Sequence, residues 1–456
     1  MSESITSRRE KILTQPILPL LIRMSIPTII GMLIMTIYNL TDTFFIGRLG
    51  NKSMTAAIGI AFSFVSFIQA LGFWFGYGSG NSMSRALGAK DEKKAATLSS
   101  TGLLLATLSG ILLTVILLPI CGKLAAFLGG NASKDLLKYS TEYIRIILYS
   151  VPVSIYATAL YNQIRLCGNA KDAMLGLMSG MLLNMVLDPI FIFTFKMGFV
   201  GAGWATFAGQ LAGAALLTFL SFKNGNIRVS FTKFKLSGTN LYHILIGGAP
   251  NFSRQGITSV AAILLNISAA AYGEETIAAL TVAGRIASMC YMVVIGWGQG
   301  FQPICAMNYG AKKYDRVRKA LTLSAVIGTV FLIFADIAVF FFAAPIVSLL
   351  TKNPEVASPA VTILRLQCIS LPLMGIYALS SMFMQNIGRY YTALAISVSR
   401  QGLFYIPLLY IMPLIISGGN PLAIYLVQPV ADIFAFVLAL ILAVPAFRTV
   451  SGTFSD

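Results

Sequence analysis

Two short stretches of this 456-residue chain place carboxylates within otherwise apolar sequence. In "YNLTDTFFIG", Tyr38, Asn39 and Asp42 stand at positions i, i+1 and i+4, so a helix would put their polar groups on neighbouring parts of one face. In "LLNMVLDPIFIF", Asn184 and Asp188 are one i, i+4 step apart. An acid at the centre of a membrane costs about 2.5–3.5 kcal/mol on insertion scales, so such acids usually face a cavity and mark ion or proton pathways.

Two further features add oxygen atoms to this neighbourhood. Pro189 directly follows Asp188 and cannot donate a hydrogen bond to the carbonyl of Met185, which leaves an acceptor in the same turn. The next apolar run carries Thr206 and Gln210, again at i and i+4. Three helices could therefore line one oxygen-rich pocket, in which two carboxylates repel each other when both are charged. A proton, or a monovalent cation with oxygen ligands, would relieve that repulsion.

Each acid also has a simpler interpretation. Asp42 could belong to a hydrated helix end because it lies close to the end of its apolar run, whereas Asp188 lies deeper in its own run. Asp336 and Asp432 are also inside apolar runs and could serve a site in the second half of the chain. Neither has a polar cluster around it in sequence as dense as 184–188, so we expect the first half to carry the coupling chemistry.

The other charged candidates are four of the arginines within apolar runs, Arg254, Arg285, Arg365 and Arg400. We expect them to pair with carbonyls or acids, or to extend towards the membrane surface. Direct contact with a cationic substrate would be repulsive.

The elements that must position these side chains are membrane-spanning helices. Hydrophobic residues make up 57% of the chain and charged residues 11%, against roughly 25% charged in soluble domains. Apolar runs recur that are long enough, at about 1.5 Å per residue, to cross a hydrocarbon core of about 30 Å. The sequence predicts an all-α membrane protein with twelve transmembrane helices, at 17–46, 54–82, 96–120, 140–164, 172–195, 199–222, 240–271, 276–305, 320–350, 357–386, 390–416 and 421–447.

The net charge of +17 reflects topology. Basic residues concentrate in the N-terminal segment and in alternate loops, which by the positive-inside rule places both termini in the cytoplasm. We therefore expect a multi-pass protein of a bacterial cytoplasmic membrane and no binding of nucleic acid.

Residue counts exclude several kinds of chemistry. The chain has one histidine, His243, and five cysteines without any close pair, so the sequence indicates neither a His-based metal cluster nor a disulfide framework. There is no phosphate-binding loop for ATP hydrolysis. We expect no enzymatic activity and no cofactor other than a coupling ion, H⁺ or Na⁺.

An internal duplication divides the chain. At a shift of about 222 residues, "GYGSGNSMSRALGAK" lies over "GQGFQPICAMNYGAK", which matches Gly76 with Gly298 and Gly78 with Gly300. At a shift of 220, the matched pairs are Arg145 with Arg365, Pro152 with Pro372, and Gly168 with Gly388.

The duplication predicts two pseudo-symmetric six-helix lobes, an N-lobe at 1–230 and a C-lobe at 231–456, joined by a basic linker around 223–238. Six helices are an even number, so both lobes enter the membrane from the same side and form a parallel repeat. Such duplicated lobes are typical of alternating-access transporters.

The segment 168–206 resembles the signature region of multidrug and toxic compound extrusion (MATE) transporters, and 298–320 resembles its second-lobe counterpart. The similarity extends over nearly the whole chain and is greatest to the MepA-like and DinF-like bacterial branches. By this resemblance, the family exchanges protons or sodium for organic cations, and Pro27 matches a proline at which the first helix bends. The resemblance places the cation-coupling site, including any Na⁺, on Asp42, Asn184, Asp188 and Thr206.

One departure from the family concerns the second lobe. NorM-like members carry a second-lobe acidic site, whereas "PNFSRQGITSV" and "LPLMGIYALSSMFMQ" here contain no Asp or Glu. This again favours coupling through the first lobe.

These observations together predict a monomeric, cation-coupled multidrug efflux antiporter for organic, mostly cationic amphipathic compounds. Soft methionines and aromatic rings suit a cavity for such compounds. The candidate lining residues are Tyr38, Asn39, Gln69, Tyr156, Met181 and Gln255.

Two alternatives remain. A lipid-linked oligosaccharide flippase of the same superfamily would need a basic central cavity suited to pyrophosphate, with arginines pointing inward. A membrane enzyme or a non-transporting scaffold is the other, and the lack of a His, Cys or Ser triad pattern argues against an enzyme.

Overall fold

A computed structural model describes residues 5–223, 225–416 and 418–452, and this part of the chain is helical without any β-strand. The described side chains exclude seven residues within helices, namely Asn39, Leu40, Asp42, Thr43, Lys52, Ser451 and Gly452. Two of the predicted site side chains, Asn39 and Asp42, therefore lie outside the described residues.

The helices of the first half are α1 (Ile5–Thr14), α2 (Ile17–Gly47), α3 (Lys52–Gly88), α4 (Glu92–Leu117), α5 (Cys121–Phe127), α6 (Lys134–Leu166), α7 (Ala170–Pro189) and α8 (Gly198–Ser221). Those of the second half are α9 (Gly238–Ala269), α10 (Glu274–Gly310), α11 (Tyr314–Phe341), α12 (Ala343–Leu350), α13 (Pro354–Cys368), α14 (Leu371–Asn386), α15 (Tyr390–Val398), α16 (Ile406–Ile415), α17 (Leu422–Tyr425) and α18 (Val427–Gly452). A π-helical stretch, Ile190–Thr194, continues α7, and another, Ser399–Tyr405, joins α15 to α16.

The predicted membrane-spanning architecture is confirmed. In the described chain, eleven helical segments are long and apolar enough to cross a membrane, and α13 with α14, bent by 53°, makes a twelfth. Many of the exposed side chains on these helices are large and apolar, as on the outer face of α11. Such a surface suits a bilayer, which solvates apolar groups and no backbone polar groups.

Proline explains an interruption in each of two predicted spans. The run predicted at 320–350 breaks at Phe342, between α11 and α12, because Pro345 has no N–H to bond the carbonyl of Phe341 four residues earlier. The run predicted at 357–386 breaks after Cys368, which is likewise four residues before Pro372. The sequence pattern missed these breaks because the flanking residues stay apolar throughout.

The internal duplication is visible in the backbone. Lys90 and Lys312, at matched positions of the two halves, have φ angles of 63° and 59°, a left-handed conformation that is uncommon for residues other than glycine. Gly168 and Gly388, another matched pair, have φ angles of 83° and 86°. The two halves therefore make the same turns at the same points.

Two compact units divide the described chain, and each borrows a segment from the other half of the sequence. Unit 1 comprises Ile30–Phe252, Ala306–Lys312 and the described part of Met1–Gln15. Unit 2 comprises Pro16–Ile29, Ser253–Cys305 and the described part of Lys313–Asp456. The division thus passes through α2 and through α9. The boundary at residue 230 predicted from the duplication remains a prediction.

Unit 1 is a bundle joined by buried polar contacts as well as by apolar packing. The Gln163 side chain on α6 accepts a hydrogen bond from Ser99 on α4 (2.7 Å) and donates one to Ser79 on α3 (2.8 Å). Phe199, at the start of α8, packs against Tyr143 on α6 with ring centroids 5.1 Å apart. These contacts fix the helices against which α7 and α8 lie.

In unit 2, α10 makes hydrogen bonds with α11 and with the first part of α2. The Trp297 indole N–H donates to the carbonyl of Ser324 on α11 (3.1 Å). From the first part of α2, Ser25 donates to the carbonyl of Trp297 (3.1 Å) and Thr28 donates to the carbonyl of Gly296 (2.6 Å). The segment Pro16–Ile29, which includes the first part of α2, therefore belongs to the second unit.

Candidate functional site

The predicted oxygen cluster lies where α7 packs on α8. These helices approach closely because a Cβ on Gly180 would lie 2.6 Å from the carbonyl oxygen of Gly209. The contact brings Asn184 of α7 beside Thr206 of α8, and the Asn184 Nδ2 donates to Thr206 Oγ1 at 3.3 Å. Asn184 and Asp188 are each 1% exposed and Thr206 is 7% exposed. The structure therefore brings three of the four predicted coupling residues together in a buried place.

The backbone around Asp188 is irregular. Pro189 ends α7, and the five residues after it form a π-helical stretch in which the Phe195 N–H bonds to the carbonyl of Ile190 at 2.8 Å. A π-helical turn leaves backbone carbonyls less regularly paired and is frequent at functional sites. The acid thus stands at the point where the helix changes its winding.

Asn184 has a carbonyl oxygen to spare. Its Nδ2 is taken by Thr206, while Oδ1 is buried and accepts no hydrogen bond from the described residues. Together with the carboxylate of Asp188 and the hydroxyl of Thr206, this oxygen forms a set of hard donors. Such donors fit a proton or a hard cation such as Na⁺. The described residues contain no group of three or more His, Cys, Asp or Glu able to hold a transition metal.

The fourth predicted coupling residue is Asp42, whose side chain lies outside the described residues. Its helix passes close to the end of α7, since Phe45 on α2 and Phe193 in the π-helical stretch make an edge-to-face contact with centroids 6.5 Å apart. Asp42 is one turn before Phe45 on α2.

The predicted lining residues occupy different places. Tyr38 and Met181 are half-buried, and the Gln69 amide lies 3.9 Å from the sulfur of Met35. Tyr156 bonds the hydroxyl of Thr218 at 2.7 Å. Gln255 belongs to unit 2, where it lines a separate cavity.

Pro27, the predicted hinge, lies inside the continuous helix α2. The division between the two units crosses this helix between Ile29 and Ile30, just beyond the proline. Pro250 occupies the corresponding place in α9, where the division falls between Phe252 and Ser253.

Asp432 has more polar neighbours in the structure than the sequence around it indicated. Its carboxylate accepts hydrogen bonds from Arg400 (2.7 and 3.4 Å), Gln428 (2.5 Å) and Ser370 (3.1 Å). Ser370 and Arg400 precede Asp432 by 62 and 32 positions, so local spacing could not reveal them. Of these partners, only Gln428, at i−4 on the same helix, is close enough in sequence to have been predicted from local spacing.

Two of the arginines have the partners expected for them, and Asp336 is buried without a hydrogen bond from the described residues. Arg400 pairs with an acid, and Arg365 donates to the carbonyl of Phe340 at 3.3 Å, both as expected. Asp336 is 6% exposed, and neither of its carboxylate oxygens accepts a hydrogen bond from the described residues.

Comparison with known proteins gives a consistent result. The MatE family model matches residues 27–190 and 252–411. The multidrug export protein MepA of Staphylococcus haemolyticus (strain JCSC1435) is 30% identical over 391 residues, covering 85% of each chain. MepA of Staphylococcus aureus (strain MSSA476) is 30% identical over 400 residues, covering 87% of each.

The solved structure of a multidrug resistance MATE family transporter of the MOP superfamily in an outward-facing conformation superposes with a TM-score of 0.90. It covers 97% of this chain and 98% of that one at 24% sequence identity, so it supports the fold. The family model matches a stretch in each half of the sequence, and the chain belongs to the MatE family of MATE transporters.

Proposed function

We propose that this protein is a multidrug exporter of a bacterial cytoplasmic membrane, which expels organic, mostly cationic amphipathic compounds by alternating access in exchange for H⁺ or Na⁺. The name of the staphylococcal relatives, multidrug export protein, supports export. The buried Asn184–Asp188–Thr206 cluster is the observation that carries the coupling.

The cluster suits a coupling ion for an electrostatic reason. A charged carboxylate buried in the membrane interior is costly, and a bound proton or cation removes much of that cost. Asn184 keeps its amide N–H₂ on Thr206 and offers its oxygen to the ion. Occupied and unoccupied clusters then favour different packings of α7 and α8.

This difference provides the coupling. An ion that binds one conformation more tightly than the other shifts the equilibrium between them, and the organic compound shifts it in the opposite direction. Asp42 would add a second carboxylate to the same pocket, and Pro27 would let α2 bend as occupancy changes. The protein would act as a monomer with both termini in the cytoplasm.

Exchange in proteoliposomes tests the proposal. Asp188→Asn keeps the size of the side chain but removes its charge, so we expect loss of ethidium transport driven by an imposed pH or sodium gradient. Asp135→Asn is the matched control, because Asp135 is an exposed acid at the start of α6. Applying the two gradients separately identifies the ion. Undiminished transport by folded Asp188→Asn protein would refute the assignment.

A second candidate function, flipping of a lipid-linked oligosaccharide, is favoured by one observation. Arg254 and Arg400 both line a cavity of unit 2, as an inward-facing basic site for pyrophosphate would require. The Asp432 partner of Arg400 offsets one of those charges. Binding of an isoprenoid pyrophosphate to purified protein, abolished by Arg254→Gln, would favour this function over drug export.

A further inference from the structure

Unit 2 contains a cavity of about 330 Å³. Its walls come from α9, α10, α13, α14, α15, α18 and the π-helical stretch Ser399–Tyr405. The side chains used below are Arg254, Tyr291, Tyr377, Arg400, Gln428 and Asp432. Small-molecule sites commonly measure about 300–1,000 Å³ and combine apolar or aromatic walls with a few placed polar groups. The cavity has both properties.

The one acid in this cavity is fully engaged. Each oxygen of Asp432 accepts two hydrogen bonds: Oδ1 from Arg400 Nε and Gln428, and Oδ2 from Arg400 Nη2 and Ser370. Its side chain is 2% exposed. Asp432 therefore has no lone pair directed at the cavity for an organic cation, and its negative charge is cancelled by Arg400.

Arg400 is equally committed. Its guanidinium makes the ion pair with Asp432 and lies over the ring of Tyr291, 5.1 Å from the centroid. The pair thus behaves as a neutral, rigid part of the wall, with Tyr291 presenting an aromatic surface beside it. Tyr377 is fixed too, because its hydroxyl donates to the carbonyl of Ile396 at 2.7 Å.

Arg254 is the exception. It lines the same cavity from α9, is half-buried, and forms no ion pair with any described residue. The charges of Arg254, Arg400 and Asp432 sum to one positive charge. An uncompensated guanidinium in a membrane-embedded cavity attracts an oxyanion strongly, and its planar fork matches a carboxylate or phosphate.

We propose that this cavity binds a singly charged oxyanion, the carboxylate of an aromatic amphipathic compound, through Arg254, with the aromatic part against Tyr291. The inference rests on the proposed export function and adds a subsite to it: the place in unit 2 where the carboxylate of a substrate is held. A single positive charge matches a monoanion. Pyrophosphate, with more than one negative charge, would remain under-compensated here.

Binding to the purified full-length protein tests this with a matched pair of fluorescent dyes. Rhodamine B carries a free carboxylate, and its ethyl ester is the same dye without that charge. We expect fluorescence polarisation to show the acid binding about tenfold more tightly than the ester, the scale of one charge-assisted hydrogen-bonded contact. In Arg254→Gln, this preference should disappear, whereas Arg254→Lys should keep part of it.

The matched control is Arg285→Gln, since Arg285 is an exposed arginine on α10 that does not line the cavity. It should retain the preference for the acid. Size-exclusion profiles and melting temperatures report whether each variant is folded. A wild-type protein that does not prefer the acid, or folded Arg254→Gln protein that still does, would overturn the inference.

A lipid phosphodiester offers the same oxyanion chemistry as a carboxylate, so a competition arm distinguishes the two sources. Short-chain phosphatidylglycerol that displaces the acid dye at concentrations where phosphatidylcholine does not would assign the site to a lipid headgroup and overturn the drug assignment. Equal, weak displacement by both lipids supports it. Dye preference without transport of either dye in proteoliposomes would refute the exporter function and leave the site assignment standing.

Discussion

The ion pair between Arg400 and Asp432 makes a prediction that can be worked through as a double-mutant cycle. Asp432→Asn removes the carboxylate charge and retains the shape of the side chain. Arg400→Gln removes the partner charge, and the double variant removes both. Asp432 is 2% exposed and Arg400 19% exposed as side chains, so solvent screens this pair poorly.

The expected magnitudes follow from what each variant leaves behind. Breaking a buried pair typically costs about 3–5 kcal/mol, because the remaining charge stays buried without its partner. Arg400 is partly exposed, so we expect about 3 kcal/mol for Asp432→Asn, the low end of that range. Arg400→Gln leaves Asp432 with only Ser370 and Gln428 as donors, and we expect the higher value. The double variant should be more stable than the sum of the singles implies, by about 2–3 kcal/mol.

Reversible unfolding in mixed detergent and SDS micelles measures the four free energies of the cycle. A coupling energy below about 0.5 kcal/mol, the level of independent sites, would refute the view that these two charges compensate each other. Rhodamine B binding gives a second readout. Asp432→Asn raises the positive charge of the cavity, so the acid dye should bind more tightly to it than to the wild type.

Three further predictions concern other parts of the chain. Gly209→Ala should lower coupled transport of ethidium in proteoliposomes. A Cβ at position 209 would lie 2.9 Å from the Cβ of Asn184 and push the Asn184 side chain away from Thr206. Unchanged transport would contradict the importance of this contact. Asp336→Leu should raise the melting temperature of the protein. The oxygens of the buried Asp336 carboxylate lack hydrogen-bond partners among the described residues, and burying such a group costs about 1–3 kcal/mol or more. Loss of transport by the stabilised variant would instead give Asp336 a functional role. Pro27→Ala should slow the exchange of ethidium for the coupling ion while leaving dye binding intact, because the alanine restores a helical hydrogen bond near the division between the units. Equal exchange rates for the variant and the wild type would argue against a hinge at Pro27.

The sequence was sufficient for features that depend on local spacing. Long apolar runs predicted the spanning helices, and the i, i+4 step from Asn184 to Asp188 predicted that they share a buried face, as they do. Features that depend on distant partners escaped it. The sequence near Asp432 does not predict its pairing with Arg400, because the two residues meet only when α18 packs beside the π-helical stretch Ser399–Tyr405. The sequence likewise did not predict the exchange of segments between the two units, because it depends on contacts between residues far apart in the chain.

That exchange has a consequence for how the protein is made. Ser25 and Thr28 find their carbonyl partners on Trp297 and Gly296, which follow them by 272 and 268 positions. At ribosomal rates of about 5–20 residues per second, α2 must wait in the bilayer for roughly 15–50 s before those partners are synthesised. Thr28 can meanwhile bond the carbonyls of Met24 and Ser25 within its own helix. The second unit therefore contains the start of α2, an early-translated helix, and cannot be completed before α10 and the helices after it have been inserted. A nascent chain interrupted midway would hold the start of α2 without its partners on α10.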